Sequence, residues 1–569
     1  MSSDLDSLVS PLSPQRVLHE DADLIVIDKP AGMSMVSPER GDDDLVSRVK
    51  LLIANRDGTP PGQVYLAVHE HLDRDVSGVV ALSRRPQANA AIAAQVQAGS
   101  SRLAWLAVVE GRPATKSGEA SVKLVRERTG VIRPATRRDR NGQRVVLRWR
   151  VTQEQGNRSL VEVRVDHGGA RHVRAAFSSV TGLRIAGDSA SRAPGAPRLM
   201  LHAAALEMQH PSSRSKLRVQ APAPAALQAW LRAGSTDVQA APAGVMLDEL
   251  LREAASRRWP IAARGDVDAY RLFHGEGEGL PGCDIDRVGD HLIVWVGEQF
   301  APDYREELLD AAWRLGPKGV YLKIRPKQAS RIVDPRRPEV APARAVRGVD
   351  APEELVVREG DLKFWVRPGD GLSTGLFLDQ RDNRTWLAGQ SGGRSVLNLF
   401  SYTCSFTIAA ARAGARTTVS VDSASRVLGI GERNLELNGL AGDQHVMVCD
   451  DVLSWLPRAR RSGQRFDRIV LDPPSYSTTH KSRFSFTSDI VGVAEECFGL
   501  VSDGGGIVLA CTNQRTVHVG QLRRSLHRAA EQAHRTVGRM VELPAQIDFP
   551  VQQGAEPHMK AIAVEVERR

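Results

Sequence analysis

From Val17 to Asp28 a run of apolar positions with interspersed polar ones leads into Lys29-Pro30-Ala31-Gly32, a pattern that predicts a strand entering a turn. Similar strand patterns recur at Trp105 to Gly111, Val145 to Val151, Val161 to Val165 and His202 to Met208, with one helix predicted over Pro86 to Gln97. That mixture predicts an α+β unit built on a mixed sheet. Gly234 to Gly244 is small, polar and proline-containing, the composition of a linker. Helical periodicity from Met246 to Arg257, then short strands around Gly-Glu-Gly-Leu-Pro-Gly turns between Tyr270 and Val333, predict a small α+β module. Beyond residue 350, strands at Val396 to Leu399, Thr417 to Val421, His445 to Val448, Arg468 to Leu471 and Gly506 to Ala510 alternate with helices. This alternation is the signature of a Rossmann-like, doubly wound parallel α/β sheet. The expected division is a flexible tail at 1–14, units at 15–233, 245–350 and 351–569, and a linker at 234–244.

Composition adds little to this and excludes some classes. The 569 residues are 42% hydrophobic and 25% charged, ordinary for folded domains and too many for one core. Lys and Arg total 76 against 67 Asp and Glu, a net charge of +9 that suits a polyanionic partner without requiring one. Cys283, Cys404, Cys449, Cys497 and Cys511 lack the spacing of a zinc site and are expected to be reduced thiols, with no metal in the site. No signal peptide or membrane-length apolar stretch is apparent, so the cytoplasm is the expected compartment. Nothing in the sequence sets an oligomeric state.

Chemistry concentrates at the ends of the predicted strands of the last unit, where open α/β sheets bind ligands. The first strand runs into Asn398-Leu399-Phe400-Ser401-Tyr402-Thr403-Cys404, and the second ends in Asp422, where a carboxylate can accept two hydrogen bonds from a ribose diol. Cys449-Asp450-Asp451 closes the third, giving an acceptor for an adenine amine. The fourth ends in Asp472-Pro473-Pro474-Ser475-Tyr476, a stiff loop presenting polar groups to an acceptor atom and an aromatic ring to a base. Taken singly, a strand-end acid or a Pro-Pro turn is more often structural. The ordered set over successive strands is what points to a nucleotide-cofactor site. Behind it, His480-Lys481-Ser482-Arg483-Phe484, with Tyr476, Phe484 and Phe486 interleaved, suits phosphate contacts and stacking.

The stretches GLSTGLFLDQRDNR (371–384), LNLFSYTCSF, VDSASRVLGIGERNLELNGL and LDPPSY resemble the large-subunit ribosomal RNA methyltransferases of the cytosine-C5 and guanine-N7 types. The segment Tyr270 to Asp290 is similar to the small domain that precedes the catalytic domain in the cytosine-C5 members. The resemblance implies S-adenosylmethionine as cofactor and ribosomal RNA as substrate. It further implies that Asp422 and Asp451 hold the cofactor, that Phe377, Asp379, Gln380 and Arg381 help form its pocket with Asn398, Phe400, Tyr402 and Thr403, and that Asp472 and Tyr476 face the base. Where the family has glycine this chain has Cys404, close to the methionine end, where a side chain can crowd the ligand; the favoured reading is a buried cysteine acting as a small hydrophobe. Cys511 stands near the family's catalytic cysteine: cytosine C5 needs a thiolate adding to C6, whereas guanine N7 already carries a lone pair.

In the first unit, VLHEDADLIVIDKPAG (17–32), EHLDRDVSG (70–78), LAVVEG (106–111), GARHVR (169–174), Gly187-Asp188 and Leu201-His202-Ala203 resemble the bacterial pseudouridine synthases of ribosomal and transfer RNA. The family uses one aspartate on a flipped-out uridine, which is Asp73 here, and Arg174 matches the arginine that pairs with it. His71 replaces an arginine, and Trp105 replaces a tyrosine beside the base, so isomerisation and plain RNA recognition both stay open. The remaining alternatives are an N-methyltransferase rather than a C5 enzyme, a decayed RNA-binding or assembly protein, and a small-molecule methyltransferase on the same sheet.

Overall fold

The computed structural model describes residues 5, 9, 11–37, 43–139, 141–188, 196, 198–233, 243–326, 336–478, 483–551 and 555–567; side chains of 233, 476–478 and 483 are excepted. In the N-terminal part, strands Leu24–Lys29, Ser77–Ser83, Leu201–Gln209, Arg102–Glu110, Arg158–Val165 and Gln143–Gln155 lie side by side in a twelve-stranded sheet. Ser77–Ser83 and Leu201–Gln209 run parallel, with His202 opposite Ser77 and Ala203 opposite Gly78, while the other neighbours in this row are antiparallel. The predicted mixed sheet is thus present, and the helix Pro86–Gln97 has the predicted limits. Gly78 is required by that parallel pairing: its φ is +119°, and a Cβ there would sit 2.2 Å from the Ala203 carbonyl oxygen.

Within the expected flexible tail at 1–14, the described residues Leu5, Val9 and Leu12 are buried, Leu5 in the core cluster of the middle module and Leu12 in that of the N-terminal unit; residues 1–4, 6–8 and 10 lie outside the described residues. The linker at 234–242 lies outside the described residues.

The middle module is a five-stranded sheet, Ala269–His274, Cys283–Val288, His291–Gly297, Gly319–Arg325 and Arg347–Gly348, backed by helices Val245–Arg257 and Pro302–Trp313. Buried ion pairs tie it to its neighbours. Arg258 is held by both carboxylate oxygens of Glu278 and donates to the Asp548 carbonyl in the C-terminal unit at 2.9 Å. On the other side Arg48, from helix Leu45–Asp57, donates to the Ser256 carbonyl (3.1 Å), and Arg198 lies 3.6 Å from Glu253.

The C-terminal sheet contains β1 (Ser395–Leu399), β2 (Thr417–Asp422), β3 (His445–Cys449), β4 (Arg468–Leu471), β5 (Gly506–Thr512), β6 (Val537–Glu542) and β7 (Lys560–Val566), in the order β3-β2-β1-β4-β5-β7-β6. The first five strands are parallel as predicted, and β7 and β6 add an antiparallel edge. Helices α1 (Ser405–Arg412), α2 (Ser425–Leu437), α3 (Val452–Arg461), α4 (Phe486–Gly499) and α5 (Val519–Gln532) complete the connections. The strand order reverses between β1 and β4, which opens a crevice beyond their carboxyl ends. All five cysteines are unpaired thiols. No helix among the described residues is long and apolar enough to cross a membrane.

Candidate active site

The turn from β1 to α1 is wound unusually tightly. Phe400, Tyr402 and Cys404 all have positive φ, +54°, +49° and +63°. Left-handed non-glycine residues cost about 1–3 kcal/mol each, so the surroundings must hold them. They do: the Tyr402 N–H donates to Asp422 Oδ2 (2.9 Å), the Thr403 hydroxyl to the Gly375 carbonyl (2.7 Å), and the Asn434 amide to the Thr403 carbonyl (3.2 Å). The φ at Cys404 accounts for a glycine in relatives. Its side chain is a small buried group, as favoured from the sequence: it packs against Gly431 and Met447, with Sγ 3.5 Å from Met447 Sδ, and leaves the crevice clear.

The crevice is a cavity of about 240 Å³. Asp422, Asp451 and Asp472, from the ends of β2, β3 and β4, all line it, together with Phe377, Asp379, Gln380, Phe400 and Tyr402. Asp451 also caps α3, accepting the Ser454 N–H at 3.1 Å. Three residues expected here are elsewhere. Arg381 is buried in a salt bridge with Asp548 (2.7 Å), Asn398 donates to Thr407 inside the core (3.0 Å), and Thr403 faces Gly375; each is a polar group whose partner lies behind the turn. Met559, Leu453 and Asn513 line the cavity and were not singled out as site residues. Asn513, just beyond the end of β5, follows the same strand-end rule as the aspartates. Met559 precedes the antiparallel β7, whose place no local pattern announces.

Two acids share the floor. The Gln380 amide donates to Asp472 Oδ2 at 2.8 Å. Burial, and then the nearby Asp379 carboxylate, push the Asp472 carboxyl up to about 7. Burial also opposes ionisation of Asp379, but His558, 3.3 Å away, and Arg271 and Arg384 outweigh it, so this carboxyl lies below its ordinary value. At neutral pH the pair therefore carries between one and two negative charges.

Cys511 is buried outside the cavity lining, and burial, followed by Asp472 and Asp379, holds its thiol well above the ordinary range. That is the reverse of the electropositive setting that makes a thiolate. Of the two phenylalanines expected to stack, Phe486 is buried in the core at the start of α4, whereas Phe484, though buried, lines the cavity with its ring 5.7 Å from that of Phe400. The side chains of Tyr476 and Arg483, and residues 480–482, lie outside the described residues.

In the N-terminal half, Asp73 meets a different arginine from the one expected. Arg171 holds it through Nη2 at 2.9 Å and Nε at 3.1 Å, whereas Arg174 pairs with Asp188. The two arginines are three residues apart on helix Ala170–Thr181, on neighbouring positions of one face, and the sequence alone could not choose between them. Trp105 is wholly buried in the sheet, not beside an open cleft, and its indole N–H has no partner among the described residues.

Residues 271–561, more than half of the chain, match the family described as S-adenosylmethionine-dependent methyltransferase. The chain belongs to this family. Residues 23–179 match the family described as RNA pseudouridylate synthase. Among curated relatives, a ribosomal RNA large subunit methyltransferase of Deinococcus radiodurans is 34% identical over 265 residues, 46% of this chain and 64% of that protein. Ribosomal RNA large subunit methyltransferase I of Erwinia tasmaniensis is 31% identical over 301 residues, 52% of this chain and 73% of that protein. The chain thus spans somewhat less than two thirds of the first relative's length. The crystal structure of SMU.776 complexed with SAH is 31% identical, covers 56% of this methyltransferase and 81% of that chain, and superimposes with a TM-score of 0.50. The cavity's donor set fits the family's cofactor: carboxylates at the ends of β2 and β3 for a diol and an amine, with Phe400 and Leu453 as apolar walls.

Proposed function

We propose that the chain is an RNA methyltransferase acting on large-subunit ribosomal RNA in the cytoplasm, that it methylates a ring nitrogen of the guanine-N7 kind, and that its N-terminal half recognises RNA. Units at 15–233, 245–350 and 351–569 are part of this proposal. The relatives' names support the substrate. The observation that carries the choice of atom is the burial of Cys511 beside two carboxylates, which leaves the cavity without an activated thiol among its described lining residues.

In this reading Asp422 and Asp451 orient the cofactor by accepting from its ribose hydroxyls and adenine amine. When bound, S-adenosylmethionine supplies an electrophilic methyl group on a sulfonium. Pro473 and Pro474 stiffen the loop that carries Asp472, and Asn513 offers an amide to the acceptor base from β5. A ring nitrogen that accepts a methyl cation turns positive, and the Asp379–Asp472 pair lies where that charge can be offset. Gln380 acts by holding the Asp472 carboxyl in place and favouring its ionised form, while Asp379 adds a second negative charge and raises Asp472.

The test is mass spectrometry of nucleosides from ribosomal RNA methylated in vitro by wild type and Cys511→Ala. A methylated guanine, formed equally by both proteins, is expected. A methylated cytosine lost in Cys511→Ala would overturn the nitrogen assignment. For the N-terminal half, pseudouridine maps from cells carrying wild type and Asp73→Ala are expected to be identical, because the buried Trp105 offers no exchangeable hydroxyl; a site lost in the variant would show that the half is a working synthase.

A further inference from the structure

A second cleft, about 180 Å³, lies on the other side of Tyr402, whose side chain lines both it and the cofactor cavity. Trp365, in strand Leu362–Val366, forms one wall, with its backbone N–H fixed on the Asn434 side chain at 2.8 Å. The Arg433 guanidinium sits 4.2 Å over the indole ring. Arg336, Arg367 and Arg426 complete the rim, and among the described lining residues the one carboxylate is Asp370, which bridges Arg336 (3.0 Å) and Arg426 (2.8 Å). Arg433 also reaches Glu354 at the surface (3.2 Å).

Among the described residues Arg426 pairs with Asp370 and Arg433 with Glu354, while Arg367 has no carboxylate partner, so guanidinium around the indole is in surplus without counting Arg336. The arginines at 336, 426 and 433 leave about half of their side-chain surface in water. A structural role would call for matched charges, and surplus guanidinium over an aromatic ring is instead the chemistry that takes a base and its phosphate. We propose that this cleft holds an unpaired nucleotide of the RNA strand neighbouring the acceptor base, its ring stacked at Trp365 and its phosphate on Arg367 with Arg426. The proposal rests on RNA being the substrate. The shared Tyr402 wall then sets the strand's path: it enters over the arginine cleft and passes Tyr402, whose ring stands 5.0 Å from the half-exposed Phe377, to reach Asp472.

The test uses full-length protein and a fluorescein-labelled single-stranded oligoadenylate, with binding read by anisotropy over a range of salt and S-adenosylmethionine affinity read by calorimetry. Arg367→Glu is expected to weaken RNA binding roughly tenfold and to lower the slope of affinity against salt by about 1. Trp365→Ala is expected to weaken it roughly 5- to 100-fold, and Trp365→Phe to restore most of the loss. Cofactor affinity should stay unchanged in all three, since none of these side chains lines the cofactor cavity; Arg367→Glu, near the surface, serves if Trp365→Ala does not fold. Wild-type RNA binding undiminished in the variants sinks the cleft alone, and absence of RNA binding by wild type sinks the RNA reading and the cleft with it. If the variants lose affinity for free AMP but keep it for the oligoadenylate, the occupant is a free nucleotide and the proposal is wrong.

Discussion

Replacing Asp472 by Asn should make the protein more stable at pH 8 and less active. The carboxyl is raised from 3.8 to about 7 in the folded state, so the native protein binds more protons than the unfolded chain between those two values. Wild-type stability contributed by this group is therefore complete below pH 4, falls steadily from about 4 to 7, and stays level above. About three pKa units at 1.36 kcal/mol each set an upper limit near 4 kcal/mol. Asp472 is partly open to the cavity, so solvent screening reduces this to about 2 kcal/mol. Asparagine keeps an oxygen for the Gln380 amide and removes the charge, so it escapes the loss. The halves need not unfold together, and the relevant urea transition is the one that SAH shifts. The midpoints of wild type and variant should diverge between pH 4 and 7 and run parallel above. Methyl transfer should fall roughly 100-fold in the variant if the negative charge offsets a cationic ring. Parallel midpoints across the whole range would refute the pKa argument, and full activity would refute the electrostatic role.

Three other outcomes follow from single contacts. Asp548→Ala strands Arg381 and frees the Arg271 N–H that donates to Asp548 at 3.0 Å, all of them buried, so a loss of about 3–5 kcal/mol is expected by urea unfolding. The Gly78→Ala variant places a methyl group against the Ala203 carbonyl at a φ alanine rarely adopts; limited proteolysis should cut its N-terminal half while the C-terminal half resists. Cys511→Ala, which removes only a buried thiol, should lower stability by about 1–2 kcal/mol in the same unfolding assay.

Fold class was legible because five strand runs ended in polar, loop-forming residues at regular intervals, and the ligand face of a parallel sheet lies at those ends. The same rule located Asp422, Asp451 and Asp472, and would have located Asn513. What stayed hidden depended on direction more than on identity. Arg381 and Asn398 carry polar groups suited to a ligand, yet each turns to a buried partner, Asp548 and Thr407, that comes from a distant segment or a packed helix face. Arg171 and Arg174 differ by less than one helical turn, a distinction that only the placed sheet makes.

Cys404 and Cys511 show why a family match and a residue's role are separate questions. Cys404 replaces a glycine at a left-handed position, yet the strain is absorbed by hydrogen bonds from neighbouring residues and the side chain leaves the cavity clear. Cys511 stands close to where a nucleophile would be wanted, but burial, and after it Asp472 and Asp379, hold its thiol well above the ordinary range. A site that concentrates negative charge around its acceptor favours an atom that becomes positive on methylation, and it works against a mechanism that begins by making a thiolate. Burial is the larger part of that opposition and Asp472 and Asp379 the rest, so relieving the burial alone would leave the two carboxylates still working against a thiolate.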